Sequence, residues 1–201
     1  MSDLLRRTAA HLTAPPEGRF RFVAVDVETA NRKDGSICQI GLAFVGDGTV
    51  ETFSMLVDPR GRFDPGNVRV HGIVPSDVRG APRFPEALEV VRDAMERHPL
   101  VQHSRFDQRA FDAACRSHGL RSVDGRWSDS VQIARKAFPE LKGAGGGHGL
   151  ANLKRALGLT FRHHDAGEDA RAAAQVVLAA EKRLGTIPAL RWRAEQLEMD
   201  V

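Results

Sequence analysis

Phe20-Arg21-Phe22-Val23-Ala24-Val25-Asp26-Val27-Glu28-Thr29 is the stretch on which the reading of the fold turns. Side chains alternate across a sheet, so Val23, Val25 and Val27 form one apolar face while Asp26 and Glu28 share the other. Phe20, Phe22 and Ala24 precede the two acids on their own face. A strand apolar on both faces is a central, buried strand. Two carboxylates at the end of such a strand repel each other and lose water, which is costly without a cation or a shared proton. The alternative is a strand that has emerged into solvent by residue 26.

Two further apolar runs follow, at residues 37–45 and 50–57, with Gly46-Asp47-Gly48 between them as a hairpin turn signal. The chain is expected to open with three consecutive strands, of which at least the second pair is antiparallel. A Pro- and Gly-rich loop spans residues 58–85 and contains a short apolar piece at 68–74 around His71-Gly72. Leu88, Val91 and Met95 recur at near-helical spacing within 86–97. Leu100-Val101 reads as a short strand, and helices are expected over 104–118, 130–138, 150–157 and 168–184. Pro139, Gly158 and Gly185 end the last three of these. Strands first, then helices alternating with short strands, predict a mixed α/β domain over residues 20–185. Residues 1–19 read as an arm with a short helical piece ended by Pro15-Pro16, and 186–201 as a tail carrying Trp192.

The 201 residues predict one domain, or two small ones at most. Hydrophobic residues at 42% and charged residues at 27% exclude a disordered chain. No apolar run approaches the roughly 18 residues that a membrane span needs. The first 19 residues lack the apolar block of a secretory signal, and two cysteines, Cys38 and Cys115, cannot staple a fold of this size. A reducing, cytoplasmic compartment is the expectation. The net charge is +3, from 29 Lys+Arg against 26 Asp+Glu, and 24 of those bases are arginine. Arginine grips phosphate bidentately and so suits a nucleic-acid partner, although compositional habit gives the same count.

The remaining acids fall where helices begin. Asp169, Ala173, Val176, Val177 and Ala180 lie at i, i+4, i+7, i+8 and i+11, a buried stripe that Asp169 heads, with Glu168, Arg171 and Gln175 toward water. Asp165 occupies the cap position with Glu168 three residues on, which leaves Asp169 spare for a metal. Ser104-x-x-Asp107 fits a capping box, so Asp107 reads either as a cap or as a ligand. His103 and Gln102 precede it at a strand edge. His163-His164-Asp165 stands just ahead of the last helix, and His164 can be brought beside a metal held by Asp169, in a register uncertain by one residue. Hard oxygen donors of this kind select Mg²⁺ or Mn²⁺ over zinc. Two such ions a few ångströms apart clamp the attacking and leaving oxygens of a phosphodiester, with a nearby His taking the proton from water.

Four blocks in order then resemble one family. Val25-Asp26-Val27-Glu28-Thr29 matches an acidic pair on a first strand, and Val70-His71-Gly72-Ile73 a His-Gly-Ile element. Gln102-His103-Ser104-Arg105-Phe106-Asp107 lines up with a His-Asn/Ser-x-x-Phe-Asp block, keeping its Phe-Asp at Phe106-Asp107, and His164-Asp165-Ala166-Gly167-Glu168-Asp169-Ala170 matches His-x-Ala-x-x-Asp-Ala. The chain resembles the DEDDh-type exonucleases, similar to the proofreading (epsilon) subunit of bacterial DNA polymerase III, over about residues 20–183. The resemblance implies an RNase H-like fold and stepwise removal of nucleoside monophosphates from a free 3′ end of single-stranded DNA or short RNA. It implies that Asp26, Glu28, Asp107 and Asp169 hold two Mg²⁺ or Mn²⁺ ions and that His164 is the general base. It also implies that Thr29 lies by the terminal nucleotide, with His103 and Phe106 on the substrate side and Phe106 packed beneath Asp107.

The chain departs from the pattern at Ala30-Asn31, where the polymerase subunits continue Thr-Gly. The short tail points to a stand-alone nuclease, with a polymerase partner possible but unsupported. Oligomeric state, pathway and the choice between DNA and RNA stay open. Two rival readings remain: a non-catalytic nucleic-acid-binding module on the same fold, and a phosphohydrolase of the all-helical HD type prompted by His164-Asp165.

Overall fold

The computed structural model describes residues 11–12, 14–160, 164–187 and 190 of the chain. Its strands are β1 (His11–Leu12), β2 (Phe22–Thr29), β3 (Ile37–Val45), β4 (Val50–Leu56), β5 (Pro99–Gln102) and β6 (Arg126–Asp129). Its helices are α1 (Pro65–His71), α2 (Phe84–Arg97), α3 (Phe106–Ser117), α4 (Ser130–Ala137), α5 (Leu150–Leu157) and α6 (Ala166–Leu184). Among the described residues the strands form one mixed sheet in the order β1-β4-β3-β2-β5-β6. β2–β3 and β3–β4 pair antiparallel, whereas β1–β4, β2–β5 and β5–β6 pair parallel. A sheet of this kind excludes the all-helical HD-type reading.

The alternation in β2 divides the core as expected. Val23, Val25 and Val27 pack with Leu88, Val91 and Met95 of α2 and with Phe111 and Ala114 of α3. Phe22 and Ala24 pack on the other face against Ala170, Ala173 and Val177 of α6. Phe20 departs from this parity: it stacks against Phe44 and the His98 ring on the valine side, with ring centroids 5.1 and 5.7 Å away. It precedes the strand, so the alternation of paired residues does not govern it.

α4 and α5 lie against the flank of α6 through Ala134, Leu150, Leu153, Val176 and Ala180. Gln175, expected to face water, is therefore buried, because a second pair of helices covers the side of α6 that the sheet does not. In the N-terminal arm His11–Leu12 form an edge strand beside Thr52 and Phe53, and the short helical piece expected ahead of Pro15 falls mainly outside the described residues. The apolar piece in the long loop is α1, started by Pro65 and ended by Gly72 in the left-handed conformation. β6 has no counterpart among the expected strands: Arg126-Trp127-Ser128-Asp129 has one apolar residue and no alternation to mark it. At the far end Leu190 is buried beside the Phe22 cluster, while Trp192 lies outside the described residues.

Candidate active site

The acidic pair closes β2, at the carboxyl ends of the parallel strands β2 and β5, the usual place for a ligand in an α/β sheet. Asp26 and Glu28 pair across the sheet with Gly41 and Gln39 of β3. Those two β3 residues seat the start of α6. The Gln39 Oε1 accepts the Ala166 N–H at 3.2 Å. Gly41 leaves room for backbone: a Cβ there would stand 2.0 Å from the Ala166 carbonyl carbon and 2.3 Å from the Gly167 nitrogen. Bringing the helix start this close to the strands delivers Asp169, buried on the inner face of the first turn, to the acids of β2. Asp165 caps the helix as expected, accepting the Glu168 N–H at 3.3 Å.

Asp107 comes from the start of α3, and the capping-box reading of it is overturned. The Gln102 Oε1 takes the Gln108 N–H at 3.0 Å, so β5 itself caps this helix. Asp107 instead reaches to β2, where its Oδ1 accepts the Val27 N–H at 3.0 Å. Val27 sits between the two acids, so this bond holds the third carboxylate beside them. Ser104 has a left-handed backbone, φ 94°, and its hydroxyl accepts the Phe106 N–H at 3.4 Å.

His164 also has a left-handed backbone, φ 66°, and its N–H donates to Asp169 Oδ2 at 2.8 Å. That turn presents its ring to the acids: one ligand atom each of Glu28, His164 and Asp169 lie within 4.8 Å of one another. His163, the other member of the pair, lies outside the described residues.

These five side chains line one cleft of about 630 Å³ together with His103 and Phe106. The His103 Nδ1 meets the Ser130 Oγ at 2.8 Å. Phe106 carries the Arg109 guanidinium 5.8 Å over its ring. Thr29 is not part of the lining: it is buried, its carbonyl receiving Asn67 Nδ2 at 2.8 Å and His71 Nε2 at 3.2 Å. The His71 Nδ1 accepts the Ile73 N–H at 3.0 Å, which assigns the ring proton to Nε2. His71 thus braces the end of β2, and burial lowers its pKa, ahead of the raising effect of the Thr29 carbonyl and a further lowering by His164.

The far wall of the cleft is formed by residues not singled out in the sequence, namely Gly146, Leu150, Asn152 and Arg155. Asn152 ties down the glycine-rich loop at residues 143–147 through Nδ2 to the Gly147 carbonyl at 2.7 Å, and its Oδ1 accepts from Arg155 at 3.0 Å. The signal for them was an amphipathic helix following a glycine loop, which names a place but no chemistry.

The electrostatics fit a cation. Burial, then the charges of Asp107, Asp169 and Glu28, raise Asp26 well above the ordinary carboxylate range. Burial and the charges of Asp169 and Asp107 push Glu28 up to about 8. Burial pushes Asp107 up to about 7, against the opposing hydrogen bond from Val27 N–H. Two like charges about 5 Å apart at an effective dielectric near 20 repel by on the order of 3 kcal/mol. A set of hard carboxylate oxygens is the donor chemistry of a divalent oxygen-loving ion, so the residues present fit such a group. Both cysteines are free and buried, and burial beside Glu28 pushes the Cys38 thiol up to about 12.

Residues 23–177 match the family model described as Exonuclease, of the RNase T type. The chain belongs to the exonuclease family. The DEDDh-type resemblance and the RNase H-like fold stand with it. The exonuclease domain is 27% identical over 161 residues to the PolC-type DNA polymerase III of Streptococcus thermophilus, covering 78% of this chain and 11% of that protein. The same figures hold for the PolC-type polymerase of Streptococcus mutans. The chain thus spans about a tenth of the length of the curated relatives it matches.

Solved structures share the fold. Exonuclease X in complex with 5′-overhanging duplex DNA superposes with a TM-score of 0.64 at 23% identity, covering 87% of this chain and 96% of that one. The nuclease domain of 3′hExo, a DEDDh family member bound to rAMP, gives 0.64 at 18% identity over 82% and 92%. Escherichia coli exonuclease I with a dA16 oligonucleotide gives 0.62 at 21% identity over 84% and 41%. Among the described residues of the chain no helix is long and apolar enough to cross a membrane.

Proposed function

We propose that residues 20–185 form a divalent-metal-dependent 3′–5′ exonuclease unit, which releases nucleoside monophosphates from single-stranded DNA or short RNA. The observation that carries this is the convergence of Asp26, Glu28, Asp107, Asp169 and His164 on one cleft. Solved neighbours described as holding a DNA oligonucleotide and rAMP support the substrate class. In this reading Asp26, Glu28, Asp107 and Asp169 hold two Mg²⁺ or Mn²⁺ ions, which when bound neutralise charge on the scissile phosphate and acidify water. His164 accepts the proton of the attacking water at its ring nitrogen. The new bond joins that water oxygen to phosphorus, the P–O3′ bond to the upstream nucleotide breaks, and the departing 3′ oxygen takes a proton from solvent, so that the products are a nucleoside 5′-monophosphate and a strand with a free 3′ hydroxyl. Phe106 and His103 flank the cleft where the terminal nucleotide lies, with aromatic stacking available from Phe106. Asp107 and Asp169 are buried at the site, while Asp26 and Glu28 are half-buried and open to the cleft.

The test is hydrolysis of 5′-labelled single-stranded DNA and RNA of equal length with Mg²⁺ or Mn²⁺, run beside Asp26→Ala protein. A ladder that shortens from the 3′ end and is absent from the variant is expected. Intact strands with folded wild-type protein would move the assignment to a non-catalytic binding module.

A further inference from the structure

A second cleft, of about 710 Å³, opens where β2 ends, lined by Arg32, Lys33, Arg60 and Arg62. All four are exposed. Two loops form it, residues 31–36 and 58–64, and one side chain ties them together. Asn31 donates from Nδ2 to the Arg62 carbonyl at 2.8 Å, and its Oδ1 accepts the Lys33 N–H at 2.9 Å. Its own N–H donates to the Ser36 Oγ at 3.1 Å. Gly35 seats the first loop against α3, where a Cβ would stand 3.0 Å from the Ala114 nitrogen. The basic side chains therefore project from a fixed frame. Asn31 belongs to the pair, Ala30-Asn31, at which the sequence leaves the pattern of the proofreading subunits.

The two clefts share their supports. Glu28 and Asn31 are three residues apart, at most roughly 10 Å along the chain. α3 begins with Phe106 and Asp107 in the acidic cleft and reaches the basic cleft at Ala113, about 9 Å further along its axis. Arg109 spans the interval, lying over the Phe106 ring and 3.7 Å from Asp34. One nucleic-acid strand covers that distance in about three steps of 3.4 Å.

We propose that this basic cleft binds the phosphodiester backbone of the same nucleic acid whose 3′ end enters the acidic cleft, a few nucleotides upstream of the scissile linkage. Asp34 and Asp64 interrupt the positive charge, which suits contacts at separate phosphates rather than a continuous groove. The inference rests on the exonuclease reading of the acidic cleft, and its test separates the two.

The test uses Arg32→Gln/Lys33→Gln/Arg62→Gln, three substitutions that spare the Asn31 bonds because those use backbone atoms of Lys33 and Arg62. Binding of a labelled 20-nucleotide single strand is followed by anisotropy in the Asp26→Asn background, where no hydrolysis is needed. Affinity is expected to fall about tenfold or more, and the slope of log K against log salt to flatten by about 0.7 for each phosphate no longer neutralised. In the hydrolytic background, kcat/KM should fall about tenfold more on the 20-mer than on a trinucleotide, chiefly through KM. An unchanged salt slope would overturn the basic cleft while a 3′ ladder kept the exonuclease reading intact. An equal loss from Arg97→Gln/Lys136→Gln/Lys182→Gln would reduce the effect to net charge and overturn it as well. Loss of strand binding in the triple variant alongside an inactive wild type would support the cleft and sink the hydrolytic reading.

Discussion

His164 joins backbone and chemistry at one residue. Its left-handed backbone lets the N–H reach Asp169 while the ring turns to Glu28. Alanine there would change conformational preference and proton chemistry together. Asn tolerates the left-handed region and so isolates the ring. His164→Asn is expected to lower kcat by roughly 10²–10⁴ with folding stability and metal binding retained. A rate close to wild type in single-turnover hydrolysis would remove His164 from the proton transfer. Asp26, Glu28 and Asp169 were legible in the sequence because strand parity and helical periodicity are local, and each places a side chain without knowledge of the rest of the fold. Asp107 was ambiguous for the converse reason. Its partner, the Val27 N–H, is 80 residues away, and the cap it was expected to make is made by Gln102. Arg155 carried no mark at all, since an arginine on an exposed helix face reads as solvated until the fold sets it opposite the acids.

Elements meet at the site because small residues let them. Gly41 is the narrowest point, with the carbonyl of Ala166 and the nitrogen of Gly167 occupying the space of a side chain. Those are backbone atoms of a helix anchored along its length, so they cannot turn aside. Gly41→Ala should destabilise by more than the ~1–3 kcal/mol of ordinary overpacking. Hydrolysis should fall with it, because Asp169 moves with the first turn of α6; urea titration and the strand assay measure the two effects. Full stability with full activity would show that α6 does not depend on this approach. The sequence offered Gly41 only as a glycine in an apolar strand, a position at which close backbone approach is one reading among several.

The junction between α2 and β5 makes a different prediction. His98 is buried there, its Nδ1 2.7 Å from the Ala94 carbonyl and its ring beside Phe20. Burial lowers its pKa, ahead of the raising effect of that carbonyl, with Arg97 lowering it further and Asp93 raising it. A histidine depressed in the fold binds fewer protons there than in the unfolded chain. Its contribution is complete above the unfolded value of about 6.5 and is lost as pH falls through the folded value. His98→Gln should flatten that part of the stability profile between pH 7 and 5, as measured by denaturant midpoints. Parallel profiles for wild type and variant would place the acid sensitivity elsewhere.

At the scale of the whole molecule, the sheet and the helices of the described residues concentrate negative charge in one cleft of a chain whose net charge is positive. Asp26, Glu28 and Asp107 are all raised by burial and by neighbouring acids of the cluster, so the cation-free protein carries repulsion that folding must overcome. A cation that binds the folded state alone offsets this and raises stability by about 2.7 kcal/mol at a hundredfold excess over Kd. For a domain of this size that is a rise in Tm of roughly 5–10 °C. Asp26→Asn removes one charge from the cluster and one ligand from the site. Without metal its Tm should equal or exceed that of the wild type, and with Mg²⁺ or Mn²⁺ its shift should be much smaller. The crossing of the two proteins is the informative feature, because loss of packing would lower the variant under both conditions. Equal shifts in wild type and Asp26→Asn would mean that the cation binds elsewhere, and the four carboxylates would then need another reason to be together.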